Sequence, residues 1–497
     1  MRKTPFSNKR KVLLGFLAGA ALPLSLSPFD FWIVAFVSPP VLYLLTREGS
    51  VFGTVSIFYS FTLGTFLVGV HWIFFSIHDY GHASIFLSGF LVLLFVVLYS
   101  LMILPGGFIY ARFFRGSDTL AMLAFISVWV ISEWIRSWFL TGFPWLFLGY
   151  GAMGSWLVNF SPLLGVFGVS FICLYVSLNL LKLVQKKIDQ HFFLAIFLLL
   201  LSPLLERWSF TNITGELSVS LLQGNVDQET KWRPENRRQI FKDYLDLSKS
   251  EQGRDLIVWP EASITYLRES ISSELSVYGD SLNAKGTGLI FGIPSLTKDG
   301  EFQNTVLGIG KAEGSYKKRR LVPFGEFVPM ENHLRGVISF FDLPMSRNIP
   351  GPSVQSPLAI NGKNISSSIC YEIAYPDLVR RADDDPAFIL TVSNDTWFGS
   401  SIGPWQHLQL ARMRALENER WLIRATNNGV TAVINSKGQV LASLPQFTTG
   451  VLRHDVEMRS GHTPFQSFGS WPILSIAFAV LIFCSNRIQK IKKSSGI

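Results

Sequence analysis

"SSSICYEIAYPD", residues 366 to 377, reads as a strand that ends abruptly on Cys370, Tyr371 and Glu372. The chain has only three cysteines. Cys173 and Cys484 fall inside apolar runs, where a thiol behaves as a small hydrophobe, so Cys370 stands alone in the polar half of the sequence. A disulfide framework is therefore excluded there. An unpaired thiol in an oxidising compartment is a hazard unless it is buried or used.

The strand has company. Similar runs occur in "LSVSLLQGNV" (217–226), "DLIVWPE" (255–261), "GLIFGIP" (288–294), "NTVLGIG" (304–310), "AFILTVSND" (387–395), "WLIRATNNG" (421–429) and "TAVINSKGQV" (431–440). Amphipathic helices are expected between them, notably 235–249 and 404–420, where Pro404 is well placed to open a helix. Strands buried on both faces with helices between them predict layered α/β packing.

On either side of this region the composition changes. The 497 residues are 48% hydrophobic and 16% charged, but the apolar excess sits in residues 1–205 and 470–484. Eight membrane spans are expected, near 12–27, 31–45, 51–75, 83–104, 119–136, 162–181, 191–205 and 470–484. The expected division is a transmembrane domain over 1–205, an external α/β domain over 206–469, and a last helix with its tail over 470–497.

Charge orients the spans. Arg2, Lys3, Lys9, Arg10, Lys11, Arg47, Arg112, Arg115, Lys182, Lys186, Lys187, Arg487, Lys490, Lys492 and Lys493 all fall on one side, while the opposite loops carry almost nothing basic beyond Arg136. The positive-inside rule then puts both tails in the cytoplasm and residues 206–469 outside it. A basic start followed by Ala18-Gly19-Ala20 is also the pattern of a cleaved signal peptide, but the apolar stretch is short for one. A net charge of +9 needs no nucleic-acid partner when much of it lies on tails near anionic lipid.

Three strand ends carry useful chemistry. Glu261 closes "IVWPE" after Pro260, where the ladder cannot continue; Lys318 precedes a Pro-Phe-Gly turn that carries Glu326; Cys370 closes the third. A thiol with an ordinary pKa of about 8.5 is mostly protonated at neutral pH, so it needs a base for its proton and a cation for its thiolate. Glu261 is expected to be that base and Lys318 that cation. The ammonium, with the N–H of Tyr371, would also stabilise the oxyanion of a tetrahedral intermediate.

"IVWPE", "KRRLVPFGEFVP", "ICYE", "SNDTWFG", "GPWQH" and "ATNNG", in that order, resemble the carbon-nitrogen hydrolase (nitrilase) superfamily. Joined to "EWIRSWFLTGFPWLFLGY" (133–150) and flanking spans, they resemble its membrane branch, the apolipoprotein N-acyltransferase family. The resemblance implies an αββα sandwich on a helical membrane bundle. It also implies a Glu261-Lys318-Cys370 triad supported by Glu326, Tyr371 and Glu372, with Trp232 of "TKWRPE" near the site.

The implied reaction is ping-pong. Cys370 takes an acyl chain from a phospholipid, phosphatidylethanolamine being the expected donor, and yields it to the amino terminus of a diacylglyceryl-modified apolipoprotein. No cofactor is implied, and the chain is expected to act as a monomer in the bacterial inner membrane with its catalytic domain on the periplasmic side. Phe324, Phe327, Trp397 and Phe398 are expected to meet acyl chains.

Blander readings exist for each residue. Glu261 alone is a solvated strand-end acid, Glu326 and Glu372 could merely pair with local cations, and Lys317 and Lys318 would face opposite ways in a strand, so a one-residue slip assigns the wrong amine. His407 is either the base of a Cys-His dyad or a hydrogen-bonded structural residue. The eight histidines show no HExxH and no paired cysteine spacing, so no metal site is expected. Glu133, costly within a span, finds its expected partner in Arg136 at i+3. A membrane-tethered amidase or nitrilase would use the same triad. A transporter would need polar pairs along its spans, which are nearly free of charge.

Overall fold

The computed structural model describes residues 7–116, 118–334, 336, 347–380 and 385–494, so Arg2 and Lys3 lie outside the described residues. The chain forms two compact units, one of residues 1–71, 89–208 and 467–497, the other of 72–88 and 209–466.

The first unit is helical. Among the described residues five helices, Val51–Gly69, Ile85–Phe114, Thr119–Arg136, Trp156–Val184 and Trp471–Lys490, are long and apolar enough to cross a membrane; Ile33–Thr46 and Gln190–Leu205 are shorter. The first expected span falls on Asn8–Ala21, closed by a turn containing Pro23. Asp118 and Asp189 cap the helices that follow them by accepting from backbone N–H groups.

Helix Asn8–Ala21 lies against Val51–Gly69 at backbone contact. A methyl on Gly19 would stand 1.9 Å from the Phe61 carbonyl oxygen, and Thr65 Oγ1 donates to the Gly19 carbonyl at 3.1 Å. Such close approach through small residues is how apolar helices associate where no hydrophobic force separates them from lipid.

One expectation changes here and another gains partners. The span expected over 51–75 stops at Gly69, because Val70 leaves the helical region (φ −126°, ψ 16°). Glu133 is held by the Trp129 indole N–H at 3.0 Å and the Leu148 N–H at 2.7 Å, while the Arg136 guanidinium lies over the Phe66 and Phe147 rings, 5.2 Å from each. Neighbouring aromatic faces and a backbone donor thus add to the electrostatic attraction between Glu133 and Arg136 expected from their i+3 spacing.

Among the described residues the second unit has thirteen strands: β1 Asn212–Gln223, β2 Leu256–Val258, β3 Gly288–Leu296, β4 Phe302–Gly310, β5 Ala312–Glu313, β6 Ser315–Lys317, β7 Leu358–Ile360, β8 Lys363–Ile369, β9 Phe388–Ser393, β10 Leu422–Thr426, β11 Ala432–Ile434, β12 Val440–Ser443 and β13 Gly450–Ser460. They form a six-stranded sheet in the order β13-β1-β2-β3-β4-β6 and a seven-stranded sheet in the order β12-β11-β10-β9-β8-β7-β5. The centres, β1-β2-β3 and β8-β9-β10, are parallel.

Alternation along these strands builds the layers. Val219, Leu221, Val258 and Ile290 of one sheet share a core with Ile369, Phe388, Leu390, Val392 and Ile423 of the other. Their neighbours Leu222, Ile257, Leu289 and Phe291 point the other way, onto Ile240, Tyr244, Leu275 and Leu282 of helices Arg237–Ser248 and Ser272–Ala284. Ile389, Leu422 and Ala432 pack on Leu408, Ala411 and Ala415 of helix Gly403–Asn418. With successive side chains facing opposite sides, the result is an αββα sandwich.

The segment 72–88 completes this unit although it lies between two apolar helices in sequence. Trp72 donates to Gln406 Oε1 at 3.1 Å and meets Phe398 edge-on at 4.7 Å; Ser76 Oγ donates to the Trp397 carbonyl at 2.7 Å, and Tyr80 meets the Trp397 ring at 5.6 Å. The sequence division at 205 and 469 does not include this exchange. Its signal was hidden in residues 72–75, which read as the tail of a span.

Candidate active site

The three catalytic candidates sit just beyond strand ends: Glu261 after β2, Lys318 after β6 and Cys370 after β8. Glu261 reaches the site because the loop crosses directly over β3. A methyl on Gly292 would come within 2.3 Å of the Ala262 nitrogen, so only glycine leaves room for this crossing. The Gly292 N–H donates to the Pro260 carbonyl at 3.1 Å and fixes the loop.

Lys318 is 1% exposed and Glu261 7% exposed. Lys318 Nζ donates to Glu261 Oε1 at 3.3 Å and to Glu326 Oε1 at 2.8 Å. Asn304 Nδ2 joins the same two oxygens, at 2.7 and 3.1 Å, and the Asn394 N–H donates to Glu261 Oε2 at 2.8 Å. Burial opposes the Lys318 charge, yet Glu261, Glu326 and the nearby sulfur hold its ammonium well above the usual lysine range. Lys317 is only half-buried, and its backbone N–H donates to Gln355 Oε1 at 2.8 Å, away from Glu261. The amine beside Glu261 is therefore that of Lys318.

Cys370 is a non-glycine residue in the left-handed region, at φ +52°. That conformation costs of order 1 kcal/mol and turns the chain sharply at the end of β8. Burial pushes the Cys370 thiol up to about 12, the Glu261 carboxylate adds to the rise, and Lys318 opposes it. The resting sulfur thus carries its proton at neutral pH.

Glu372 ties two of these loops together. Its carboxylate accepts from the Tyr316 hydroxyl at 3.0 Å, from the Arg319 and Arg320 N–H groups at 2.7 and 3.0 Å, and from the Ile369 N–H at 2.8 Å. Tyr316, Arg319 and Arg320 flank Lys318 in sequence, and Ile369 precedes Cys370. Glu372 therefore pairs with backbone, not with the arginine side chains beside it. Burial pushes its carboxyl up, against the pull of those N–H groups and of Lys318. Glu372→Ala leaves four donors without this acceptor, two of them buried, so a loss of about 2–4 kcal/mol in folding stability is expected, measured as a lower melting temperature in detergent.

The other site candidates surround this centre. Glu326 Oε2 accepts from the Val322 N–H at 2.8 Å, closing the turn that carries Phe324 and Phe327, both half-buried. Tyr371 is buried and meets Tyr375 edge-on at 5.3 Å. Trp397 and Phe398, half-buried, form the turn Asp395–Phe398 after β9. Trp232 ends the short helix Gln228–Lys231, and its indole N–H is buried with no acceptor among the described residues.

Sequence reasoning did not reach Asn304, Asn394 or Lys231, and it left His407 between two readings. Asn304 and Asn394 look like ordinary turn formers in sequence. Lys231 is 1% exposed and donates to the Glu261 carbonyl at 3.4 Å; burial pushes its ammonium down to about 8, with Glu261 pulling the other way. His407 lies beneath Cys370 with Nε2 3.0 Å from the Cys370 carbonyl oxygen and Nδ1 3.0 Å from Asp395 Oδ1. One ligand atom from each of Cys370, Asp395 and His407 lies within 4.8 Å of the others, a spacing that suits a metal, but both ring nitrogens already face oxygen partners. Of the two readings of His407, the geometry is that of the hydrogen-bonded structural residue.

Comparison with known proteins gives a consistent match. Residues 218–462 match the carbon-nitrogen hydrolase family and residues 18–179 the apolipoprotein N-acyltransferase N-terminal domain. A Pseudomonas syringae protein named apolipoprotein N-acyltransferase is 41% identical over 473 residues, covering 93% of this chain and 94% of its own length. Proteins of the same name from Pseudomonas aeruginosa PAO1 and Vibrio vulnificus are 40% and 36% identical, covering 95% and 96% of this chain and 94% and 98% of their own.

Proposed function

The chain belongs to the apolipoprotein N-acyltransferase family, and from that premise we propose that Cys370 carries a fatty acyl group from a membrane phospholipid to the amino terminus of a lipoprotein. The observation that carries the reading is one buried ammonium, Lys318, shared by Glu261 and Glu326 beside an unpaired thiol.

In the first half-reaction the sulfur attacks the ester carbonyl of the phospholipid while Glu261 takes the thiol proton. A thiol held near 12 does not ionise in advance, so transfer accompanies attack. Lys318 and the Tyr371 N–H face the negative oxygen that forms, an interaction worth about 3–4 kcal/mol per donor in comparable sites. Collapse breaks the ester C–O bond, the proton passes from Glu261 to the departing alkoxide, and lysophospholipid leaves. In the second half, the α-amino group of a diacylglyceryl-cysteine attacks the thioester, Glu261 takes its proton, and the sulfur leaves and regains a proton. No water or cofactor is consumed.

Phosphatidylethanolamine as donor, monomeric action and a bacterial inner-membrane location belong to the same reading. The half-buried rings of Phe324, Phe327, Trp397 and Phe398, and the unpartnered Trp232 N–H, would line the acyl and headgroup path. Changing Phe324 and Phe327 together to Ser is expected to raise the KM for phospholipid about tenfold while leaving alkylation of Cys370 by iodoacetamide unchanged.

Incubation with phospholipid bearing a radiolabelled acyl chain is expected to label Cys370 with a bond cleaved by neutral hydroxylamine, and a lipopeptide amine is expected to remove the label as an amide. Release of the label as free fatty acid in the presence of the amine would instead mark a hydrolase. The periplasmic placement of 206–469, supported by the lysines and arginines on the opposite loops, has its own check. Lys298→Cys, in the turn between β3 and β4, is expected to react with a membrane-impermeant maleimide in intact cells whose outer membrane has been permeabilised.

A further inference from the structure

The chemistry above uses the Tyr371 N–H, and nothing in it says what aims that N–H. Cys370 provides the answer through its carbonyl. The Cys370 C=O and the Tyr371 N–H belong to one planar amide and point in opposite directions, so whatever grips the oxygen sets the direction of the hydrogen.

His407 grips it. A carbonyl oxygen only accepts, so Nε2, at 3.0 Å from it, carries the hydrogen. With the ring hydrogen on Nε2, Nδ1 is an acceptor, and Arg424 Nη2 holds the ring from behind by donating to Nδ1 at 3.1 Å and to Asp395 Oδ2 at 2.5 Å, so Asp395 acts on the ring through that guanidinium. Ser393 Oγ donates to Asp395 Oδ1 at 2.7 Å. All three charged or ring side chains are fully buried. Space for the Asp395 carboxylate exists only because residue 429 is glycine, where a methyl would stand 2.4 Å from Oδ2. Phe398 closes the ring from another side, edge-on at 5.9 Å.

A buried Asp-His-Arg cluster is costly to assemble as mere packing, since each polar group must be desolvated. It lies directly behind the one amide whose orientation the reaction needs, at a residue held in a left-handed conformation that does not maintain itself.

We propose that His407, locked by Asp395 and Arg424, is a positioning residue that orients the Cys370–Tyr371 amide as the oxyanion donor of the acyl transfer. The inference rests on the acyl-transfer reading above. It assigns His407 no proton transfer and no contact with substrate.

The test separates attack that needs the amide from attack that does not. Acylation of Cys370 by labelled phospholipid passes through an oxyanion; alkylation of the same sulfur by iodoacetamide does not. His407→Leu removes the donor, and His407→Gln keeps an N–H at similar reach. For Leu, the single-turnover acylation rate is expected to fall about 10- to 100-fold, with phospholipid KM and iodoacetamide rate within about threefold of wild type. Gln is expected to recover most of the acylation rate.

Acylation at the wild-type rate in the Leu variant would overturn the proposal, as would equal loss of acylation and alkylation, which marks general disorder of the site. Should Leu fail to fold, the Gln variant and Asp395→Asn are read against each other, with Asp395→Asn expected to slow acylation and spare alkylation; a Gln variant as slow as Asp395→Asn would also overturn it. Failure of the wild type itself to form the thioester would instead remove the acyl-transfer reading, an outcome visible before any variant is made.

Discussion

Cys370→Ala is expected to abolish the thioester and reduce turnover by at least about 10⁴-fold, while leaving the fold intact. Removing the sulfur removes the only atom able to hold the acyl chain between the departure of one lipid and the arrival of the next. The side chain is small, and alanine suffers the left-handed backbone at φ +52° no worse than cysteine does, so melting in detergent should stay close to wild type. Cys370→Ser should fold equally well and remain inactive, because an alcohol is a weaker nucleophile and a far poorer leaving group than a thiol in the second half-reaction. The measurements are label retained on the purified protein and amide formed on a lipopeptide. A variant that still transfers acyl chains at more than about a hundredth of the wild-type rate would remove Cys370 from the chemistry.

Lys318→Met carries the second large effect, and it acts on two quantities at once. Lys318 Nζ donates to Glu261 Oε1 and Glu326 Oε1, which otherwise share only the Asn304 amide. Without the ammonium two carboxylates face each other in a buried site, and breaking such an arrangement from one side costs about 3–5 kcal/mol. Loss of the cation proposed to stabilise the oxyanion is expected to add a fall in acylation of about 10³-fold or more. Lys317→Met removes an identical charge one residue earlier and is expected to change activity by no more than about threefold, as for a half-buried side chain outside the site. Circular dichroism melts and single-turnover labelling on the two variants decide the register. Equal effects from both would mean that the positive charge of the segment matters and not the amine beside Glu261.

The sequence carried these residues because strand ends are chemically visible. "IVWPE" stops on a proline and an acid, and "ICYE" stops on a thiol, so alternation followed by a polar or reactive residue marked both places. The central parallel strands were equally legible, since burial on two faces leaves runs such as "AFILTVS" with no charged interruption. Strand β13, Gly450–Ser460, was not, because it is an edge strand whose polar residues mask its alternation, and its pairing with β1 joins Asn212 to Ser460 across most of the unit.

The supporting network was legible only in part. Glu326 and Glu372 stood in motifs, yet nothing in the sequence said that one would accept from Lys318 and the other from backbone N–H groups. Asn304 and Asn394 were invisible for a simpler reason: an amide that holds the Glu261 carboxylate and an amide that closes a turn are the same residue until the strands are placed. His407 was recognised as a polar residue on a helix, and its two readings were separated only by which oxygen and which atom of Cys370 its nitrogens face.

The segment 72–88 has a consequence for biosynthesis. Trp72 and Gln406 are 334 residues apart in the chain, and Ser76 and Trp397 are 321 apart. At translation speeds of 5–20 residues per second, the early segment waits roughly 20 to 60 s for the partners that cover its aromatic rings. Until then Trp72, Phe75 and Tyr80 present an uncovered greasy surface to whatever chaperone or lipid is at hand. For the same reason, a piece cut at 209 and 466 starts life without its own first-made part, and recovery of its full stability should require adding the 72–88 peptide back.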